Sequence, residues 1–81
     1  MTVTVKLFAR ARDVVGADSM SVTLADLHTV GELRRAMCER CPELKPFAAG
    51  LLFAVDAQYA GDATPISPTS DIACFPPVSG G

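Results

Sequence analysis

The group best placed for chemistry is at the end of the chain, which reads Pro76-Pro77-Val78-Ser79-Gly80-Gly81. A carboxylate is a poor electrophile. To acylate anything, that of Gly81 must first be activated, as by adenylation with ATP, which turns one of its oxygens into a leaving group. The activating site has to bring the carboxylate within about 3–3.5 Å of the α-phosphate. Gly80 and Gly81 have no Cβ to block such an approach, so an extended tail can thread a narrow channel. Pro76 and Pro77 favour a polyproline-like path without ladder donors. They also reduce the freedom the tail loses on docking. The expected reacting residue is Gly81, with Gly80 as its steric permission and Pro76, Pro77, Val78 and Ser79 as the inserting segment.

Other residues with reactive side chains fit structural roles better. Cys38-Glu39-Arg40-Cys41 has C-x-x-C spacing. A thioredoxin-type site needs its nucleophilic cysteine at a helix N-terminus, where the dipole stabilises a thiolate, and both cysteines here fall at a helix C-terminus. A zinc site needs two further ligands. Cys74 is expected buried in a strand, and His28 at the other end of the helix is expected on a surface loop. No metal site is therefore expected, and the cysteines read as small core residues. Arg10 and Arg12 fit a solvated face, with contact to an acidic partner surface as the alternative. Neither a glycine-rich phosphate loop nor a nucleophile–base arrangement is visible.

The rest of the chain must position the tail. Its 81 residues make one small domain with one core. We divide it into a folded unit, residues 1–75, and a tail, residues 76–81. A hydrophobic fraction of 49% with 20% charged residues reads as a packed globule. The formal net charge of −2 argues against a nucleic-acid binder. The N-terminus alternates where a secretory leader would be continuously apolar. The longest apolar stretch, Phe47 to Val55, is under half a bilayer span, so no membrane partner is expected. An odd cysteine count, three, fits a reducing compartment, and the expected location is cytoplasmic.

Periodicity supplies the elements. Residues 2–8 alternate, with Val3, Val5 and Leu7 on one side and Thr4, Lys6 and Phe8 on the other, as a strand does. Ala9–Val15 suggests one or two helical turns stopped by Gly16. Met20–Leu24 alternates again as a hairpin partner of the first strand. Thr29 and Glu32 have capping-box spacing. The helix they open carries Val30, Leu33, Met37, Cys41 and Leu44 on one arc. Pro42 ends it near Cys41, and a proline-bracketed loop runs on to Pro46. Leu51–Val55 suits a buried strand, Asp56–Gly61 a turn with a short edge strand around Tyr59, Asp62–Ser70 a loop, and Asp71–Phe75 a last strand returning beside the first. This is an α+β roll: a mixed sheet of about five strands with one main helix packed across it.

The ending Phe75-Pro76-Pro77-Val78-Ser79-Gly80-Gly81 on this element order resembles the small sulfur-carrier subunits of molybdopterin synthase, a ubiquitin-like β-grasp family. Ala54-Val55-Asp56 stands where that family usually has Ala-Val-Asn, and Pro65-Ile66 and Asp71-Ile72 also match family positions. Thr69-Ser70 replaces its frequent Asp-Gly turn. The resemblance implies a cycle. An E1-like enzyme uses ATP to adenylate Gly81, and a persulfide donor converts it to a thiocarboxylate. The tail then enters the large synthase subunit, which builds the dithiolene of the molybdenum cofactor on a pyranopterin precursor. It implies a heterotetramer of two small and two large subunits, catalytic groups in the large subunit, and no cofactor bound to this chain. Carriers for thiamine, cysteine or tRNA thiolation, and ubiquitin-like protein modifiers, share the same tail chemistry.

Strand parity offers a docking face. With Val3, Val5, Leu7, Ile72 and Cys74 turned toward the helix, Phe8, Ala73 and Phe75 face out, and Tyr59 lies near them. An exposed aromatic cluster on a small domain suits a partner interface. The competing arrangement tucks Phe8 under the short helix.

Overall fold

The computed structural model describes residues 1–24 and 28–76. Five strands form one sheet in the order β2-β1-β5-β3-β4. They are β1 (Thr2–Leu7), β2 (Ser19–Thr23), β3 (Leu52–Val55), β4 (Gln58–Ala60) and β5 (Ile72–Phe75). β1 and β5 run parallel at the centre, and the other neighbours pair antiparallel. The helices are α1 (Ala9–Val15) and α2 (Val30–Arg40), with a 3₁₀ segment at Pro42–Gly50. This is the mixed-sheet α+β roll the periodicity predicts. No described helix is long and apolar enough to cross a membrane.

Alternation places Val3, Val5 and Leu7 of β1, Met20 and Val22 of β2, Phe53 of β3, and Ile72 and Cys74 of β5 on the inner face of the sheet, all buried. Val30, Leu33, Met37 and Cys38 of α2 complete the core with Leu44, Leu51 and Ile66. Burial of a side chain such as Phe53 or Leu33 contributes about 1.5–3 kcal/mol. Cys41 is half-buried at the helix C-cap. Cys38, one turn earlier, takes the core position the helical wheel assigned to Cys41.

The start of α2 satisfies its orphan donors in two ways. Thr29 Oγ1 accepts from Glu32 N at 3.3 Å. The loop after β4 supplies carbonyls: Val30 N donates to Thr64 O and Gly31 N to Asp62 O, both at 3.0 Å. A Cβ on Gly31 would lie 3.2–3.3 Å from Asp62, so any larger residue here would have to push the strap back by a few tenths of an ångström. The Glu32 carboxylate meets the Thr29 hydroxyl at 3.4 Å, rather than the Thr29 N–H that a full capping box would engage. At the other end of α1, Gly16 takes the left-handed C-cap with φ 84, the termination expected of glycine there.

Three further sequence expectations need correction. The proline-bracketed stretch after α2 is a continuous 3₁₀ run rather than a loop. Pro42 supplies a fixed helical φ at its start, and Leu44 anchors it in the core. Arg34 holds its far end, donating to Ala48 O and to Leu51 O at 2.7 Å while pairing with Asp62 at 2.9 Å. His28 is 4% exposed rather than on a surface loop. Its carbonyl accepts from Ile66 N at 3.2 Å, and Thr29 bridges Pro65, so the same strap draws this residue inward. Finally, β3 is buried on one side only. Phe53 faces the core, whereas Leu52 is 38% exposed.

Candidate functional site

The outer face of the sheet follows from register. Lys6 pairs with Ala73, Ala73 with Ala54, and Ala54 with Tyr59. These four side chains therefore form one outward row across β1, β5, β3 and β4. Beside it, Leu52 pairs with Phe75. Phe8 lies just past β1 with φ −127 and ψ 150, an extended geometry that continues the strand's alternation. Its ring stays on the outer face and stacks on Phe75, with centroids 5.0 Å apart and planes 12° from parallel. Tyr59 approaches Phe75 at 6.5 Å with planes inclined by 56°. Both arrangements are favoured aromatic geometries.

The result is a shallow trough. Ala54 and Ala73 form its floor, and Phe8, Phe75 and Tyr59 rise around them. Phe8 is 42% and Tyr59 79% exposed, so this half of the face presents apolar area to solvent. Lys6 and Asp71 close one side with an ion pair at 3.2 Å. Asp71 N donates to Asp56 Oδ1 at 2.9 Å, and Asp56 N to Asp71 O at 2.8 Å. That doubled link holds the β3–β4 turn against β5. The turn itself has two left-handed residues, Asp56 at φ 51 and Ala57 at φ 69, as a tight hairpin requires.

The trough lies at the root of the tail. Phe75 is the last residue of β5, and Pro76 is the last described residue. Pro77, Val78, Ser79, Gly80 and Gly81 lie outside the described residues.

The remaining reactive side chains do not assemble. Burial pushes the Cys74 thiol up to about 12. Burial also raises the Cys38 and Cys41 thiols, and Cys41 Sγ donates to Glu43 Oε2 at 3.1 Å. All three cysteines are free, and raised thiols are poor nucleophiles. Among the described residues, no group of three or more His, Cys, Asp or Glu side chains could hold a metal ion. The His28 ring nitrogens have no hydrogen-bond partner among the described residues. Arg12 reaches Asp18 at 3.9 Å, and Arg10 covers the Phe47 ring at 5.4 Å, so both work within the fold's own surface.

Sequence reasoning brought Phe8, Ala73, Phe75 and Tyr59 to one face and put Lys6 on the same side of its strand as Phe8, but missed Leu52 and Ala54. The alternation of Leu52 with Phe53 was the available sign, hidden because Leu51-Leu52-Phe53 reads as one apolar run. Only the register with β5 separates them.

The sequence pattern of the ThiS family matches residues 5–81. The chain is 34% identical to a molybdopterin synthase sulfur carrier subunit from Caenorhabditis briggsae, over 100% of this chain and 99% of that protein. It is 26% identical to one from Arabidopsis thaliana, over 95% of this chain and 80% of that protein. Its fold superposes on SAMP1 of Haloferax volcanii with a TM-score of 0.83 at 26% identity, covering 100% of both chains.

Proposed function

Because the chain belongs to the ThiS family, we propose that it is a sulfur carrier whose Gly81 carboxylate becomes a thiocarboxylate and serves molybdopterin synthesis. In the first step the carboxylate oxygen attacks the α-phosphate of ATP on an E1-like enzyme, and pyrophosphate leaves. A persulfide sulfur then attacks the acyl carbon and expels AMP. Cleavage of the new S–S bond by a thiol leaves the thiocarboxylate. In the large synthase subunit its sulfur passes to the pterin precursor, and water returns the carboxylate. The chain is thus a co-substrate, and the groups that catalyse transfer belong to its partners.

The aromatic trough at the root of the tail carries this reading. The reacting end, Gly80-Gly81, has little surface with which to be recognised, so much of the affinity has to come from elsewhere, above all the folded unit. Phe8, Tyr59 and Phe75 supply it as a hydrophobic anchor beside the point where the tail leaves the sheet. Full-length relatives bearing the sulfur-carrier name support the molybdopterin branch.

Intact-mass measurement after incubation with ATP, the activating enzyme and a persulfide donor tests the chemistry. The expected product has one oxygen replaced by sulfur, and dithiolene forms once the large subunit and precursor are added. Adding one residue after Gly81 should abolish both. The likeness to SAMP1, a small archaeal modifier protein, makes protein modification the second reading. High-mass conjugates in place of the thiocarboxylate would select it.

A further inference from the structure

The corner leading out of β1 has an uncommon backbone. Ala9 has φ 51, in the left-handed region where an L-residue's Cβ crowds the following carbonyl oxygen. The other two such non-glycine residues among those described, Asp56 and Ala57, form a hairpin turn that calls for this conformation. Ala9 opens a helix.

The residues on either side account for it. Phe8 is tied to the sheet, its N–H donating to Cys74 O at 3.2 Å, and its ring is stacked on Phe75 on the outer face. Three residues later, Ala11 is 2% exposed and belongs to the core on the opposite face. The Phe8 carbonyl also accepts from Ala11 N at 3.1 Å and from Arg12 N at 3.4 Å. The chain must therefore present Phe8 outward, cap α1 with the Phe8 carbonyl and turn Ala11 inward, with Ala9 and Arg10 alone between them. A single left-handed residue makes that reversal.

We propose that Ala9 is a positioning residue for the docking face. Its left-handed backbone fixes Phe8 against Phe75, so the aromatic anchor is organised before a partner arrives. This rests on the reading of the trough as a docking surface. Alanine suits the corner because its side chain ends at Cβ, whereas a β-branched residue at this φ is an outlier. Ala9→Val should drive the backbone toward negative φ and swing Phe8 off Phe75. Glycine or asparagine accepts the left-handed region and should leave the stack in place.

The test uses the full chain and its large synthase subunit. Nuclear Overhauser contacts and ring-current shifts between Phe8 and Phe75 are read in the free protein, and affinity is read by calorimetry. Ala9→Val is expected to lose the Phe8–Phe75 signals and about tenfold in affinity, while Ala9→Gly and Ala9→Asn stay within about twofold. In a Phe8→Ala background, Ala9→Val should cost nothing further, since coupled residues are non-additive. Retention of the stack in Ala9→Val, or a loss that adds in full to that of Phe8→Ala, overturns the proposal. If Ala9→Val fails to fold, a synthetic chain with D-alanine at position 9, whose preferred φ is positive, decides it. That chain should melt a few degrees higher with the stack intact, and a lower melting point or a lost stack overturns the proposal. The stacking signals judge Ala9 without a partner. Normal affinity in both Phe8→Ala and Phe75→Ala would instead strike down the docking reading.

Discussion

The outer face of the sheet has two halves built by the same rule and finished differently. On β1 and β2 the outward residues are Thr2, Thr4, Ser19, Ser21 and Thr23. Their hydroxyls pair across the strands, Thr2 with Thr23 at 3.2 Å and Thr4 with Ser21 at 3.4 Å. On β3, β4 and β5 the outward residues are Leu52, Ala54, Tyr59, Ala73 and Phe75, joined by Phe8. Four of the five hydroxyls in the first half pair with one another, and this half is at ease in water. The second leaves apolar area that only a partner can cover. Lys6 and Asp71 stand at the border between them. One sheet thus separates a hydroxyl-lined surface from an apolar one, the proposed docking face, through the side-chain types at alternate positions.

The sharpest check on this division sets the inner face against the outer. Phe53→Ala empties a core position and should cost about 3–5 kcal/mol of stability, read by urea unfolding. Phe75→Ala on the outer face should leave a folded protein but weaken large-subunit binding by about 2–4 kcal/mol, the range of an interface hot spot, read by calorimetry. A Phe75→Ala protein that unfolds while its folded fraction binds normally would break the comparison. Cys74, between Ala73 and Phe75 but turned inward, gives a pH test of the same alternation. Its thiol is held protonated up to about 12 in the native state, whereas an unfolded thiol ionises near 8.5. The unfolded chain then binds fewer protons above that pH, so stability is complete below it and falls as pH rises toward 12. The loss approaches about 1.4 kcal/mol per pH unit, and Cys74→Val should flatten this part of the alkaline unfolding profile. Lys6→Ala should change affinity by about 0–1 kcal/mol, because an exposed ion pair contributes little. Thr4→Val on the hydroxyl half should leave affinity unchanged within about twofold, and a larger effect would move the docking surface onto β1 and β2.

Much of this arrangement was legible from local pattern. Period-two runs located the first, second and last strands, and the Thr29–Glu32 spacing located α2. Parity alone sent Phe8 and Phe75 outward. What escaped depended on contacts distant in sequence. His28 reads as a loop residue until the strap at residues 64–66 closes on it. Leu52 reads as core until its register with Phe75 is known. Pro42–Gly50 reads as a loop because neither its anchoring by Leu44 nor the acceptors Arg34 finds there can be seen along the chain.

The sequence by itself determined the alternation and the caps and breaks, because each is set by residues within a turn or a strand of one another. The tertiary structure alone decided the register by which those alternate residues meet. Pairing β1 with β5 set Phe8 on Phe75, and pairing β3 with β5 and β4 added Leu52 and Tyr59. A docking surface consists of side chains from separate strands. Register, fixed by burial of the opposite face, is what brings them together.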